Sequence, residues 1–259
     1  MCLVFIAVSR NSKYKLVLAS NRDEFYNRKT APAHFWEDHP FVVGGRDLEA
    51  AGTWMAMTRT GKIGLVTNYR DPANINPVAP SRGKLVSDFL VNGDSPDYYI
   101  KEVSKKGLQY NGFNLITGTI NDLWYYSNYG KGIQPLTPGI YGLSNHLLDT
   151  AWPKVIRGKE NFTRQLSNKE IAVDAMLNML YDEERAADSA LPDTGIGLER
   201  ERALSSMFIK TKGYGTRCST VVLVTHNNEV TYAERVYDLN TFQYTTQEFK
   251  FRITESPTV

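Results

Sequence analysis

The chain has almost no cysteine. Its two residues, Cys2 and Cys218, stand far apart among 259. That is no disulfide framework, and it fits a reducing, cytoplasmic setting. Histidine is scarce too. His34, His39, His146 and His226 show no metal-ligand spacing, and there is no Cys-x-x-Cys-His haem-attachment motif, so no metal site is expected. An excess of one charge is also missing, since the formal net charge is only +2. A broad basic field for nucleic acid is thereby excluded. No apolar run reaches the roughly 18 residues of a membrane-spanning helix. The apolar start, Met1 to Ile6, lacks a preceding basic segment and stops at Arg10-Asn11-Ser12-Lys13, so it does not read as a signal peptide. Linkers, repeats and low-complexity tracts are absent as well. With 42% hydrophobic and 22% charged residues, residues 1–259 read as a single domain with ample material for a core.

What is present begins at Cys2. A small second residue lets methionine aminopeptidase remove Met1, and Cys2 then becomes the mature N-terminus. Its thiol and its own α-amine form a nucleophile and a base in one residue. An α-amine titrates near pH ~8, low enough to accept a proton at neutral pH. A thiol of reference pKa ~8.5 needs little help to ionise. N-terminal nucleophile (Ntn) hydrolases use this pairing to attack a carbonyl. The same position also suits an ordinary buried cysteine packed as a small hydrophobe.

The pattern along the chain alternates in blocks. Leu3–Val8 and Lys15–Ser20 read as a hairpin, as do Thr53–Thr58 and Lys62–Thr67. Leu85, Val86, Phe89 and Leu90 have helical spacing, and Ser95-Pro96 opens a second helix. Asn114–Thr119, Leu123–Ser127 and Tyr141–Asn145 read as strands. Helices follow from about Trp152 to Gln165 and from about Glu170 to Tyr181, the latter with a Ser167/Glu170 capping box. Leu191–Arg202 reads as a loop, and Cys218–Val224, Glu229–Tyr237 and Gln243–Ile253 close the chain as strands. Strands and helices in separate blocks predict an α+β protein with antiparallel sheets and helix layers, not a doubly wound parallel fold.

Several strands end in side chains suited to acyl transfer. Asn21-Arg22-Asp23-Glu24 follows the second strand, Asn68 the fourth, Asn145 a later one, and Arg217 precedes the strand at Cys218. Counting outward from a turn near Asn11-Ser12, Cys2 lies opposite roughly position 21. Each residue also has a plainer use. Arg22 and Asp23 can pair in a turn, Asn68 and Asn145 can be turn residues, Arg217 can be a surface charge, and Cys218 can simply pack.

These residues resemble a known family. Asn21-Arg22-Asp23-Glu24 matches the signature of the NRDE family, also called the transport and Golgi organisation 2 family. Gly52-Thr53-Trp54, Thr67-Asn68-Tyr69, Ser81-Arg82-Gly83, Asn111–Leu115, Tyr141–Asn145 and Gly213–Arg217 resemble its other segments, in the same order along essentially the whole chain. The resemblance implies the Ntn-hydrolase fold, a four-layer αββα sandwich of two antiparallel sheets, distantly similar to bile-salt hydrolases and penicillin V acylases. Carried over residue by residue, it makes Cys2 nucleophile and base. Arg22 and Asp23 orient it, Asn68 and Asn145 contact the oxyanion or amine, and Arg217 is a second cation near a thiolate of lowered pKa. In the acylases the Arg and Asp are spaced by two residues; here they are adjacent. Adjacent strand residues face opposite ways, so Arg22 is expected to point at Cys2, partly exposed, with Asp23 bracing the loop.

The implied function is an N-terminal-cysteine amidohydrolase or thioesterase-like protein acting on a small acylated substrate, in the setting of lipid and acyl-CoA homeostasis. No cofactor is required for that hydrolysis. The alternative is a non-catalytic carrier of haem or an acyl-lipid in the same cleft, with Arg22, Arg28 and Arg70 available to haem carboxylates. The expected partner is a small-molecule or acyl-lipid ligand.

Overall fold

The computed structural model describes residues 2–254. The fate of Met1 therefore lies outside the described residues. In chain order the strands are β1 (Cys2–Val8), β2 (Tyr14–Phe25), β3 (Thr30–Phe35), β4 (Val42–Asp47), β5 (Met55–Thr58), β6 (Lys62–Asn68), β7 (Phe113–Thr119), β8 (Asp122–Ser127), β9 (Gln134–Pro135), β10 (Gly139–Leu143), β11 (Lys210–Thr211), β12 (Tyr214–Thr225), β13 (Glu229–Tyr237) and β14 (Tyr244–Arg252). The helices are α1 (Lys84–Val91), α2 (Pro96–Lys106), α3 (Pro153–Leu166), α4 (Val173–Leu180) and α5 (Leu198–Ala203).

The strands form two antiparallel sheets. One runs β10-β1-β2-β12-β13-β14, with β11 hydrogen-bonded to β12; the other runs β3-β4-β5-β6-β7-β8-β9. Three apolar clusters stack between the layers. Val4, Ile6, Leu16, Leu18 and Val222 of the first sheet meet Met55, Ile63, Leu65 and Ile116 of the second. The opposite face of the first sheet, with Leu3, Phe5, Val17 and Val221, packs on Val155 and Phe162 of α3 and Met176 and Leu177 of α4. The outer face of the second sheet packs on Leu85, Val86 and Phe89 of α1 and Ile100 and Val103 of α2. The result is the expected four-layer αββα sandwich. Because both faces of β1 are covered, Leu3–Ala7 is apolar throughout instead of alternating.

The structure departs from the sequence reading in local places. Strand β2 continues through Asn21-Arg22-Asp23-Glu24 to Phe25, because β12 pairs with it over the same length. The polar cluster is therefore inside a strand and not in a loop after one. The expected Ser167/Glu170 capping box does not form. Helix α4 starts at Val173 with Ala172 as its uncapped N-cap, and the Ser167 hydroxyl donates back to Arg164 O. Part of the expected 191–202 loop is α5. Strands β3 and β4, which the pattern did not reveal, carry Pro32 and two consecutive glycines, Gly44 and Gly45.

Candidate active site

The turn between β1 and β2 fixes the register of the site. Asn11 Oδ1 accepts from the N–H groups of Lys13 (2.8 Å) and Tyr14 (3.1 Å), an Asx-type closure. Cys2 then pairs with Arg22, one residue beyond the position counted from sequence. Arg22 in turn pairs with Cys218 of β12. Residues directly opposite on antiparallel strands project from the same face. Cys2, Arg22 and Cys218 thus form one row on the face that looks at the second sheet. The pleat sends the neighbours the other way. Asn21 Nδ2 donates to Leu180 O and Met207 O on the helix side, both at 2.9 Å. Asp23 Oδ1 accepts from Thr216 Oγ1 at 2.7 Å, also on that side. The backbone N–H of Asp23 reaches the Cys2 thiol, and its carboxylate charge acts on that thiol as well.

Arg22 is more buried than expected, at 5% exposure. The cause is Trp54, whose ring lies 4.0 Å from the guanidinium carbon. Gly45 makes room for that ring: a Cβ there would sit 2.2 Å from Trp54 Cη2. Glu24 lies 4.0 Å from Arg22, and the Arg22 charge acts on the Cys2 thiol, on Cys218 and on the buried Glu234 carboxyl.

A cleft of about 300 Å³ opens at this row. Its walls carry Cys2, Arg22, Glu24, Asn68 and two arginines to which the sequence reading gave no role at the thiol. Arg28 is held by Asp47 at 2.6 Å. Arg82 Nη1 donates to Gly112 O at 2.9 Å, and its charge interacts with Glu24 and Cys2. Ser81-Arg82-Gly83 and Gly52-Thr53-Trp54 stood out in the sequence as segments, but nothing there showed that Arg82 and Trp54 meet at Cys2.

The remaining expected residues are placed differently. Asn145 is fully buried and does not line the cleft. Its Nδ2 donates to Asn68 O at 3.0 Å and its carbonyl accepts Arg70 N–H at 2.7 Å, so it ties the end of β10 to the end of β6. Arg217 falls at the bulge between Thr216 and Cys218. Its Nη1 donates to Phe25 O at 2.8 Å and Arg28 O at 2.5 Å, fastening the turn between β2 and β3, and it does not line the cleft. The Ser144 hydroxyl reaches Cys2 O at 3.4 Å, while Ser144 O accepts from Thr67 Oγ1 at 2.9 Å. This polar bridge between the sheets holds the first residue of β1.

The electrostatics correct one expectation. Burial pushes the Cys2 thiol above its ordinary pKa and the Asp23 carboxylate adds to this, while the Arg22 charge and the Asp23 N–H oppose it. The direction is opposite to the lowered pKa expected for this thiol. Burial also raises the Asp23 carboxyl, against the pull of Lys154 and the Thr216 hydroxyl. Cys218 is driven much higher, by burial and by its contact with Glu234. Among the described residues no group of three or more His, Cys, Asp or Glu side chains could hold a metal ion.

A family profile described as "Transport and Golgi organisation 2" matches residues 1–239. The chain belongs to the Transport and Golgi organisation 2 family. The mouse Transport and Golgi organization 2 homolog is 37% identical, over 98% of this chain and 99% of its own. The human protein of that name is also 37% identical, over 96% and 99%. Among solved structures, the Caenorhabditis elegans ortholog of N-acylethanolamine-hydrolyzing acid amidase superposes with a TM-score of 0.50 at 12% identity, over 86% of this chain and 92% of that one. At that identity the likeness concerns the fold, which is that of the Ntn hydrolases. In this family member, Asn21-Arg22-Asp23-Glu24 is a strand segment whose side chains serve two faces. Asn21 and Asp23 anchor the helix side, and Arg22 serves the cleft.

Proposed function

We propose that this family member is a cysteine-dependent hydrolase of small acylated substrates, cleaving an amide or a thioester. The observation that carries the reading is the row of Cys2 and Arg22 at the wall of the cleft. Cys2 Sγ attacks the acyl carbonyl. Because burial keeps the thiol protonated, a base must take its proton. With Met1 removed, the α-amine of Cys2 is that base, and Asp23 and Asn145 brace the strands that carry it. The oxyanion is stabilised by Asn68 and backbone N–H groups. The amine then protonates the leaving amine or thiol, and water releases the acyl group. Arg217 acts through the turn it fastens. Of the arginines expected to serve haem carboxylates, Arg70 does not line this cleft and is paired with Glu201 at 2.7 Å, and the walls also carry Glu24 and Asp47, which favours hydrolysis of a polar or charged acyl derivative over a haem carrier.

The test is product release from a panel of N-acyl amides and acyl thioesters. The worm structure is that of an N-acylethanolamine-hydrolyzing amidase ortholog, which puts an acyl amide first in the panel. Turnover that disappears in Cys2→Ala while the melting temperature holds supports the reading. Equal turnover in Cys2→Ala removes it.

A further inference from the structure

The segment Pro72–Ser81 contains no charged residue and three prolines. Its first seven residues, 72–78, are all exposed. Ile75 is 65% exposed and Val78 86%. Beside them stands Leu108, 92% exposed, in the single turn after α2. The two segments are joined side by side: Asn76 N–H donates to Asn111 Oδ1 at 2.7 Å, and Asn111 Nδ2 donates to Asn76 O at 2.9 Å. The adjacent segments thereby expose three large aliphatic side chains to solvent on neighbouring stretches of chain. Leaving them there forfeits roughly 25 cal/mol for every Å² of apolar area that a partner could cover. Prolines stiffen the segment, so little conformational freedom is lost on docking.

The position of this lip is informative. The residues that follow Val78 in the same segment, Ala79, Pro80 and Ser81, form a wall of the Cys2 cleft. The charges around it are informative too. Lys84 begins α1 just past that wall, Lys106 precedes Leu108, and Lys131 follows Tyr129, which lines the hollow between the two segments. These three lysines are exposed and form no ion pair among the described residues. Lys101 and Lys105 on α2, by contrast, are paired with Asp97 and Glu102. One carboxylate stands at this edge, Asp71, which accepts from Asn74 Nδ2 at 2.7 Å and from the Tyr129 hydroxyl, so the three lysines leave an excess of positive charge. An exposed aliphatic segment with that excess matches the interface of an anionic lipid surface, where apolar burial and attraction to headgroups add. We infer that the lip formed by residues 72–78 and Leu108 docks this protein on anionic lipid surfaces, with the mouth of the Cys2 cleft turned toward the lipid. The surface would serve a hydrolase and a carrier alike, so it stands or falls separately from the reading of Cys2.

The test is co-sedimentation of the full chain with sucrose-loaded vesicles. One set is phosphatidylcholine alone; the other contains about one third phosphatidylserine, the anionic component. The wild type should bind the anionic set more tightly, with a preference that falls as salt rises. The triple variant I75S/V78S/L108S should lose at least about tenfold in binding to that set, with an unchanged melting temperature because all three side chains are exposed. K84Q/K106Q/K131Q should lose the preference for the anionic set. The inference is overturned if the wild type sediments with neither set, or if the aliphatic triple variant binds as the wild type does. It is equally overturned if that variant dissolves a dimer seen in sedimentation velocity while vesicle binding is nil, which would make the lip a protein interface.

Discussion

At Arg22 a positive charge is held almost out of water, with the Glu24 carboxylate 4.0 Å away and an indole face at 4.0 Å. Such a charge is stabilised by the ring quadrupole and by what lies beside it. Here that neighbour is Cys2, on whose thiol Arg22 exerts a lowering effect against burial. Arg22→Ala should raise the Cys2 pKa further and, because the stem and guanidinium are packed on Trp54, should also cost about 2 kcal/mol of stability. Arg22→Lys should keep much of the effect on the thiol and still lose the stacking. Iodoacetamide rates as a function of pH, read beside thermal melts, separate the two contributions. A thiol titration unchanged in Arg22→Ala would assign this residue to packing alone. Cys218, in the same row and 4% exposed, should label only as the chain unfolds, since burial and Glu234 hold it protonated.

The elements that place this row differ in how openly the sequence declares them. The β1–β2 hairpin was legible: two β-rich runs around a polar turn bring Cys2 within one residue of the observed partner. That the pleat would separate Arg22 from Asp23 was legible too, because alternation is a property of any strand. The burial of Arg22 was not. It depends on Trp54 arriving from the second sheet over Gly45, a contact between segments that no local pattern encodes. The roles of Asn145 and Arg217 were hidden for the same reason. A terminal Asn or Arg looks alike whether it faces a ligand or ties two strands, and a bulge such as that at Arg217 leaves no mark in composition. Strands β3 and β4 escaped notice because Pro and Gly are depleted in strands generally. Helix α3 shows how closely the outer layer is fitted to the sheet behind the site. A Cβ at Gly158 would lie 2.0 Å from Phe5 Cζ and 2.8 Å from Met207 Sδ. Gly158→Ala should push α3 off β1 and destabilise the fold by about 2 kcal/mol, despite the higher helix propensity of Ala. Denaturant melts check this; a variant as stable as the wild type would mean the layer can yield.

Across the whole molecule, the four layers bury charges as well as apolar groups behind the row that holds Cys2. Lys154, at the start of α3, is 2% exposed and donates to Leu204 O at 2.9 Å. Burial lowers its ammonium to about 8, with the Asp23 charge pulling the other way. In the unfolded chain a lysine titrates near 10.4. Between these values the unfolded chain holds the proton and the folded one has released it. This residue therefore makes stability rise with pH by up to about 1.4 kcal/mol per pH unit in that window. Below about pH 8 both forms are protonated and a penalty of roughly 3 kcal/mol stands in full. Subtracting the stability curve of Lys154→Met from that of the wild type should leave a difference rising from about pH 8 to about pH 10. A flat difference would mean that Lys154 stays charged in the fold. What these layers frame is a buried thiol, and the proposal that its own amine serves as base is best tested by trapping. Untagged protein is mixed briefly with an activated acyl ester, quenched in acid, and examined by intact-mass and peptide mass spectrometry. The account predicts a chain that begins at Cys2 and carries one acyl group on that residue, with Cys218 unmodified. A chain that retains Met1, or one whose Cys2 stays unacylated while the ester is consumed elsewhere, would contradict it.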